Sequence, residues 1–143
     1  MIKIAFFDVD GTLLKLGSKE LSDKTREALT LLRQNNILLC MATGRGYLSV
    51  PHFQGIVFDV LLTFNGSYVI SKDQIIFQNP LHREDKIQII RNLKKMNRAL
   101  AISNEHFIVT NGTDPDLEQY FAFGNETMKI ADNFDALCEE DIY

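Results

Sequence analysis

Two acidic residues directly after an apolar segment constrain this chain more than any other feature. The segment Ile4–Phe7 (IAFF) is followed by Asp8–Thr12 (DVDGT). A short, fully apolar run is typical of a strand buried in a parallel sheet. Because residues two apart in an extended segment point to the same side, Asp8 and Asp10 present two carboxylates together at the strand end. Gly11 allows the backbone to turn sharply beside whatever the acids bind.

This pair of carboxylates favours a divalent metal site. In open α/β sheets, ligands collect at the carboxyl ends of the strands. Mg²⁺ is commonly bound there by one or two carboxylates together with substrate phosphates, so we expect Asp8 and Asp10 to be its ligands. An EF-hand calcium loop is excluded, because it requires glycine at its sixth position and glutamate at its twelfth. Counted from Asp8, Gly11 occupies the fourth position and Lys19 occupies the twelfth, so neither requirement is met.

A second motif follows the next apolar run. Ser22 is suited to cap a helix over residues 25–34, and a second strand is predicted over residues 37–42. A strand–helix–strand unit has a right-handed crossover, so the two strands are parallel and end at the same edge. The second strand ends in Thr43–Arg45, which supplies a hydroxyl, a flexible backbone and a guanidinium for phosphoryl oxygens. Taken alone, the tripeptide is also compatible with a plain turn and a solvent-facing arginine.

The rest of the chain predicts a hairpin and then a second group of elements. A third apolar strand, residues 60–64, ends in Asn65-Gly66-Ser67, and a β-hairpin follows around Lys72-Asp73. After Asn79-Pro80, which we interpret as a hinge, we predict three helices and two strands. The helices are expected over residues 83–96, 114–123 and 132–140, and the strands over residues 99–102 and 107–110. We interpret the acids of the last segment as a solvated helix face, not as a second metal site.

Together, these motifs resemble the haloacid dehalogenase (HAD) superfamily of phosphohydrolases. The strand with Asp8–Thr12 resembles its first motif, and Thr43–Arg45, one βα unit later, resembles its second. Asn65-Gly66 at the end of the third strand resembles the Cof-type, or type IIB, branch, in which an α/β cap is inserted. The resemblance implies an α/β fold with a partial Rossmann-like parallel core over residues 1–80. It also implies part of a type IIB cap over residues 81–143.

The resemblance further implies a cytoplasmic, Mg²⁺-dependent phosphatase of small phosphorylated metabolites, of the sugar phosphate class. Asp8 would be the nucleophile that forms an aspartyl-phosphate. Asp10 would act as general acid and then as general base, and both aspartates would hold the metal. The phosphoryl group and substrate would be bound by the remaining motif residues, which are Gly11, Thr12, Thr43, Gly44, Arg45 and Asn65.

Two further HAD motifs have no counterpart in this sequence. One is a lysine that neutralises the nucleophile and phosphate, and the other is a Gly-Asp-x-x-x-Asp type loop that completes the magnesium shell. Both follow the cap in the family, so we expect this chain to be the N-terminal part of a longer hydrolase, with little activity alone. The first strand would then lie at an edge of the sheet, apolar on both faces, and be liable to self-association.

Two other classes of protein are compatible with part of this pattern. A non-catalytic domain of the same fold, with a binding or structural role, would carry the same elements. A phospho-accepting receiver domain also combines acids with threonine on a parallel sheet. That class needs an acceptor aspartate at the end of the third strand, where this chain has Asn65, and it is therefore disfavoured.

The charge composition argues against two classes of partner. The 143 residues carry a net charge of -4 and no basic run, which argues against nucleic acid or an anionic membrane surface. No apolar stretch approaches the roughly 20 residues that span a bilayer, and the start shows no signal-peptide pattern. Cys40 and Cys138 lack metal-ligand spacing, so we expect reduced thiols. The three histidines are expected on the surface.

Overall fold

The computed structural model describes residues 1–15, 17–124 and 126–143. These residues form two compact units, Met1–Gln78 and Asn79–Tyr143. Each unit has its own sheet and its own hydrophobic core. The division falls between Gln78 and Asn79.

The first unit is a five-stranded mixed sheet with one long helix, α1 (Asp23–Gln34), between its first two strands. Among the described residues, the strands in spatial order are β1 (Ile4–Phe7), β2 (Leu38–Ala42), β3 (Val60–Thr63), β4 (Tyr68–Ser71) and β5 (Gln74–Gln78). Strands β1 to β3 pair in parallel, and β4 and β5 extend the sheet as an antiparallel hairpin. The arrangement confirms the predicted α/β class with a parallel core.

Helix α1 begins at its predicted cap and packs its apolar side into the core of the first unit. The Ser22 hydroxyl accepts the N–H of Thr25 at 3.1 Å, which satisfies one of the free amides of the first turn. The apolar side of the helix buries Leu29 to 1% exposure. The core that it joins consists of Val9, Leu13, Leu14, Leu21, Leu29, Leu39, Met41, Val50 and Phe53.

Strand β1 lies at an edge of this sheet, as the sequence predicts. Among the residues that the structure describes, its partner strand is β2. Ile2 and Phe6 are 72% and 58% exposed. An edge of this kind offers unpaired backbone groups next to apolar surface, which favours pairing with another chain.

The second unit combines a small antiparallel sheet with three helices. The strands are β6 (Ala101–Ser103) and β7 (Ile108–Thr110), and the helices are α2 (Arg83–Lys95), α3 (Pro115–Gly124) and α4 (Phe134–Leu137). Its buried core consists of Ile102, Val109, Phe134, Cys138 and Ile142.

Helix α4 is shorter than the helix predicted over residues 132–140. The chain leaves the helix after Leu137 so that Ile142 can enter the core, and the carbonyl of Ile142 then accepts the N–H of Leu81 at 2.7 Å. The five acidic side chains of this segment are exposed, in agreement with the prediction of a solvated face. They are Asp132, Asp135, Glu139, Glu140 and Asp141.

The structure also describes the cysteines, the histidines and the helix lengths. Cys40 and Cys138 are free and buried. His52, His82 and His106 are exposed. Within the described part of the chain, each helix is too short or too polar to cross a membrane.

Candidate functional site

The residues after β1 form a tight loop that exposes two carboxylates. Asp8 and Asp10 are exposed, whereas Val9 between them is completely buried. Backbone hydrogen bonds close the loop, since the N–H of Leu14 donates to Val9 at 2.8 Å and that of Gly11 donates to Leu14 at 2.7 Å. Gly11 has a φ of 88°, a conformation that glycine adopts at little cost. The alternating exposure agrees with both acids projecting from one side of the strand end.

Arg45 binds the carboxylate of Asp10 through two parallel hydrogen bonds. Its Nε donates to Oδ2 at 2.9 Å, and its Nη2 donates to Oδ1 at 2.7 Å. Such bidentate pairs are the strong form of the arginine–carboxylate contact. The hydrogen bond from Arg45 lowers the pKa of Asp10 from its ordinary value; partial burial opposes this effect, and the positive charge of Arg45 adds to it. Asp10 is therefore held as a carboxylate.

Sequence reasoning placed Arg45 toward phosphoryl oxygens and missed this pairing. The signal lies in the strand register. Phe7 pairs with Met41, so the residues that follow β1 and β2 emerge at one edge of the sheet. Asp10 lies three residues after Phe7, and Arg45 lies four residues after Met41, so the two side chains are within reach of one another. Arg45 is further held by its Nη1, which donates to the carbonyl of Ser49 at 3.3 Å.

Asp8, in contrast, has an open carboxylate. Within the described ranges, no hydrogen-bond or ion-pair partner contacts its carboxylate oxygens, and only its main-chain carbonyl is used, by the N–H of Leu13 at 3.2 Å. The side chain is exposed at the end of a parallel strand. Its lone pairs are thus available to a cation or to an electrophilic substrate atom.

Thr43 is buried and its hydroxyl is oriented. The residue is 6% exposed, and its Oγ1 accepts the N–H of Arg45 at 3.1 Å. A hydroxyl has one proton and two lone pairs, so this contact leaves the proton available to donate. The hydroxyl can therefore donate to an anionic oxygen at this edge of the sheet.

Asn65 lies against the loop that follows β2. Its Oδ1 is 3.0 Å from the position that a Cβ on Gly44 would occupy, so a larger residue at position 44 would require Asn65 to shift by a few tenths of an ångström. The N–H groups of Phe64 and Asn65 donate to the carbonyls of Arg45 and Thr43, at 2.9 and 3.1 Å. The structure thus joins the ends of β2 and β3, while Gly11 and Thr12 lie exposed in the first loop.

The oxygen donors present fit a hard cation with an incomplete protein shell. Asp8 offers free carboxylate oxygens, and Asp10 offers its main-chain carbonyl beside a carboxylate already bound by Arg45. In the described ranges, no group of three or more Asp, Glu, His or Cys side chains is placed to hold a metal. Mg²⁺ tolerates such a set because it retains water and phosphate ligands.

Comparison with known proteins decides the family. Residues 5–143 match the haloacid dehalogenase-like hydrolases. The chain belongs to this family. Over 139 residues it is 32% identical to the HMP-PP phosphatase of Escherichia coli O81 (strain ED1a). The alignment covers 92% of this chain and 49% of that relative.

Solved structures of this family share the fold. A HAD-superfamily phosphatase from Bacteroides thetaiotaomicron superposes with a TM-score of 0.83 at 23% identity, over 99% of this chain and 54% of the other. A HAD subclass IIB sugar phosphatase superposes with a TM-score of 0.80 at 19% identity, over 98% of this chain and 56% of the other. These likenesses confirm the predicted α/β fold, and one of the two matched structures is that of a subclass IIB sugar phosphatase. The chain spans about half the length of the relatives that it matches.

Proposed function

We propose that this chain carries the nucleophile-bearing part of the site of a Mg²⁺-dependent phosphohydrolase that acts on small phosphorylated metabolites. The observation that carries the proposal is the contrast between two neighbouring acids. Asp8 has open oxygens, whereas Asp10 is bound and oriented by Arg45. Phosphate ester hydrolysis through a covalent intermediate needs this division between a free nucleophile and a positioned acid–base group.

We assign residues 1–80 to the catalytic core and residues 81–143 to part of a cap. The two compact units and the fold shared with a subclass IIB sugar phosphatase support this assignment. The parallel strands and the candidate site belong to the first unit. The second unit is then the part in which substrate selection is expected.

In the proposed first step, a carboxylate oxygen of Asp8 attacks phosphorus in line with the leaving group. A bond forms from Asp8 to phosphorus, and the bond from phosphorus to the ester oxygen breaks. Water then attacks phosphorus, which releases inorganic phosphate and restores the carboxylate. The exposure of Asp8 at the strand end supports this role.

Asp10 is proposed to move the protons of both steps. It gives a proton to the leaving alcohol and later takes one from the attacking water. In the structure, Arg45 keeps Asp10 ionised, which is the state suited to accept a proton from water. Donation to the leaving group requires prior protonation of Asp10, which weakens its contact with Arg45.

Gly11, Thr12 and Thr43 are proposed to bind the phosphoryl group. The hydroxyl of Thr43 and the backbone at Gly11-Thr12 would donate hydrogen bonds to the equatorial oxygens, over which negative charge spreads in a loose transition state. Asp8 and the carbonyl of Asp10 would hold Mg²⁺, which would supply positive charge that stabilises the phosphoryl oxygens. Because the sequence lacks the family's lysine and late acidic loop, we expect residues 1–143 alone to turn over substrate poorly.

Two substrate classes are the first to test. The curated relative is named for HMP-PP, and a structural relative is named as a sugar phosphatase. Both names describe small molecules that carry phosphate. We also propose a cytoplasmic location, consistent with two free thiols at Cys40 and Cys138.

The test is phosphate release by the complete encoded protein with Mg²⁺ and a panel that includes HMP-PP and hexose phosphates. Asp8→Asn is expected to lower turnover by about 10³-fold or more, because it removes the nucleophile. The matched control is Asp73→Asn, which makes the same change at an exposed hairpin turn and should keep full turnover. Full turnover by Asp8→Asn would remove the nucleophile assignment.

A further inference from the structure

The turn after β3 has an unusual backbone. Phe64 and Asn65 have φ values of 51° and 56°, so two successive residues other than glycine are left-handed. Asparagine tolerates this region, but a bulky residue such as phenylalanine rarely adopts it. Backbone of this kind persists when its surroundings fix it, and it is concentrated at functional sites. The predicted strand over residues 60–64 accordingly ends one residue early, at Thr63.

The left-handed turn directs two successive amides at the neighbouring loop. Phe64 N–H donates to the carbonyl of Arg45, and Asn65 N–H donates to that of Thr43. The two acceptors are two residues apart and flank Gly44. The loop that follows β2 is therefore clamped on both sides of its glycine by the end of β3.

The side chain of Asn65 lies beside this clamp, next to Gly44. Its Oδ1 would lie 3.0 Å from a Cβ on Gly44, and its Cγ and Nδ2 would each lie 3.6 Å away. The side-chain amide of Asn65 therefore occupies the space that a side chain at residue 44 would enter. Loss of this side chain leaves space into which the loop can move.

The clamp extends through Arg45 to the candidate general acid. Arg45 is held at its carbonyl by Phe64 and at its N–H by the Thr43 hydroxyl. From this fixed backbone, its guanidinium reaches Asp10 with Nε and Nη2, and Ser49 with Nη1. Each contact in this series is a hydrogen bond between residues of the first unit.

We propose that Asn65 is a positioning residue, which acts through the loop that follows β2 to hold the Arg45 guanidinium against Asp10, and that it is not a substrate ligand. This assignment replaces the expectation from sequence that Asn65 binds phosphate or substrate. The value of the positioned pair for catalysis rests on the proposed function. The coupling between Asn65 and Arg45 is a property of the folded chain and stands without it.

The chain offers a matched control for the backbone. Asn36 has a φ of 58°, almost the same as that of Asn65, and it is also exposed. Its N–H donates locally, to the carbonyl of Arg33 at 3.0 Å, as is usual where a helix ends. Asn36→Gly and Asn65→Gly therefore make the same change at the same φ, and glycine fits both positions without strain.

The experiment measures the Nε–H of Arg45 by ¹⁵N NMR in folded protein of residues 1–143. In the parent chain we expect a distinct resonance whose exchange with water is slowed by the contact with Asp10. Asn65→Gly should accelerate that exchange about tenfold and move the resonance toward the positions of solvent-exposed arginines. Asn36→Gly should leave both unchanged, although it removes the same side chain. If Asn65→Gly leaves the Arg45 signal as in the parent chain, the proposal is wrong.

A second variant approaches the same contact from the other side. Gly44→Ala places a Cβ 3.0 Å from Oδ1 of Asn65, so that side chain must shift by a few tenths of an ångström. The proposal predicts a loss of Arg45 protection that is smaller than for Asn65→Gly but in the same direction. Arg45 protection in folded Gly44→Ala that equals or exceeds that of the parent chain would contradict it.

A kinetic arm on the complete encoded protein separates positioning from substrate binding. Asn65→Gly should lower kcat and leave KM within about twofold, because the alignment of Asp10 is lost while substrate contacts remain. A raised KM with unchanged kcat would show that Asn65 is a substrate ligand and would overturn the proposal. The NMR measurement does not depend on turnover. If the parent protein is inactive, the proposed function is wrong, and the Arg45 resonance alone then decides whether Asn65 positions Arg45.

Discussion

Arg45 and Asp10 join the ends of two parallel strands by hydrogen bonds of 2.9 and 2.7 Å. Asp10 lies in the loop after β1, and Arg45 lies in the loop after β2. The two motifs that are separate in sequence therefore form one unit in space. Among the described residues, the Asp8 carboxylate has no such partner, and this difference is the basis for the separate roles that we propose for the two aspartates.

Removal of this arginine should raise the pKa of Asp10 toward its ordinary value of 3.8. The contact lowers the folded-state pKa, so its stabilising contribution is complete above the unfolded-state value and is lost as pH falls through the folded-state value. Both side chains are partly exposed, so Arg45→Gln should cost about 1 kcal/mol or less at neutral pH. The pKa is measured by carboxyl NMR titration, and the stability by urea unfolding at several pH values.

The matched control for this change is Arg91→Gln. Arg91 is exposed on α2, and it makes no ion pair within the described part of the chain. Arg91→Gln should leave both the Asp10 titration and the pH dependence of unfolding unchanged. An Asp10 titration curve that does not move in Arg45→Gln would contradict the account of this contact.

Mg²⁺ should bind weakly to residues 1–143, because the protein supplies few oxygen ligands. Calorimetric titration is expected to show binding in the parent chain and none in the double variant Asp8→Asn, Asp10→Asn. The control is Asp132→Asn, Asp135→Asn, which removes the same charge from the exposed acidic segment. Equal binding by the parent chain and the first double variant would exclude the proposed metal site.

The core of the first unit depends on the inner side of α1. Leu29 is 1% exposed and Leu31 is 50% exposed, on the same helix. Leu29→Ala should lower the free energy of unfolding by about 2–5 kcal/mol, because it removes buried apolar contacts and leaves a cavity. Leu31→Ala should cost well under half of that amount. Similar losses for the two variants in urea unfolding would show that the packing described for α1 is wrong.

Strand β1 should make the isolated chain associate at its free edge. Sedimentation of residues 1–143 at low micromolar concentration is expected to show self-association, and thermal unfolding should depend on concentration. Phe6→Lys should reduce association, because it places a charge at the exposed edge. Phe123→Lys makes the same change at another exposed aromatic residue, on α3, and is the control. A compact monomer with slow amide exchange along Ile4–Phe7 would contradict this prediction.

The sequence predicts the elements that depend on local pattern. Apolar runs fix β1 to β3, Ser22 marks the start of α1, and Lys72-Asp73 gives the hairpin turn, with φ values of 48° and 62°. Parallel pairing then follows from the crossover rule, and it places Asp8 and Thr43 at the same edge. These steps need no information about distant side chains.

Features that depend on distant side chains could not be predicted in this way. Strand β6 begins at Ala101, two residues later than expected, because side chains of Asp114 and Asn111 accept the N–H groups of Ala99 and Leu100. The bidentate contact of Arg45 and the left-handed turn at Phe64 are of the same kind. Each is decided by packing between loops, for which a single sequence carries no periodic signal.

The most direct measurement of the central claim is the covalent state of Asp8 during turnover. Complete encoded protein is mixed with substrate and Mg²⁺, quenched in acid and digested, and the peptide that contains Asp8 is examined by mass spectrometry. The account predicts one added phosphoryl group, located on Asp8 and absent from Asp8→Asn, which also loses turnover. Rapid turnover with no phosphoryl group on that peptide, together with an active Asp8→Asn variant, would contradict it.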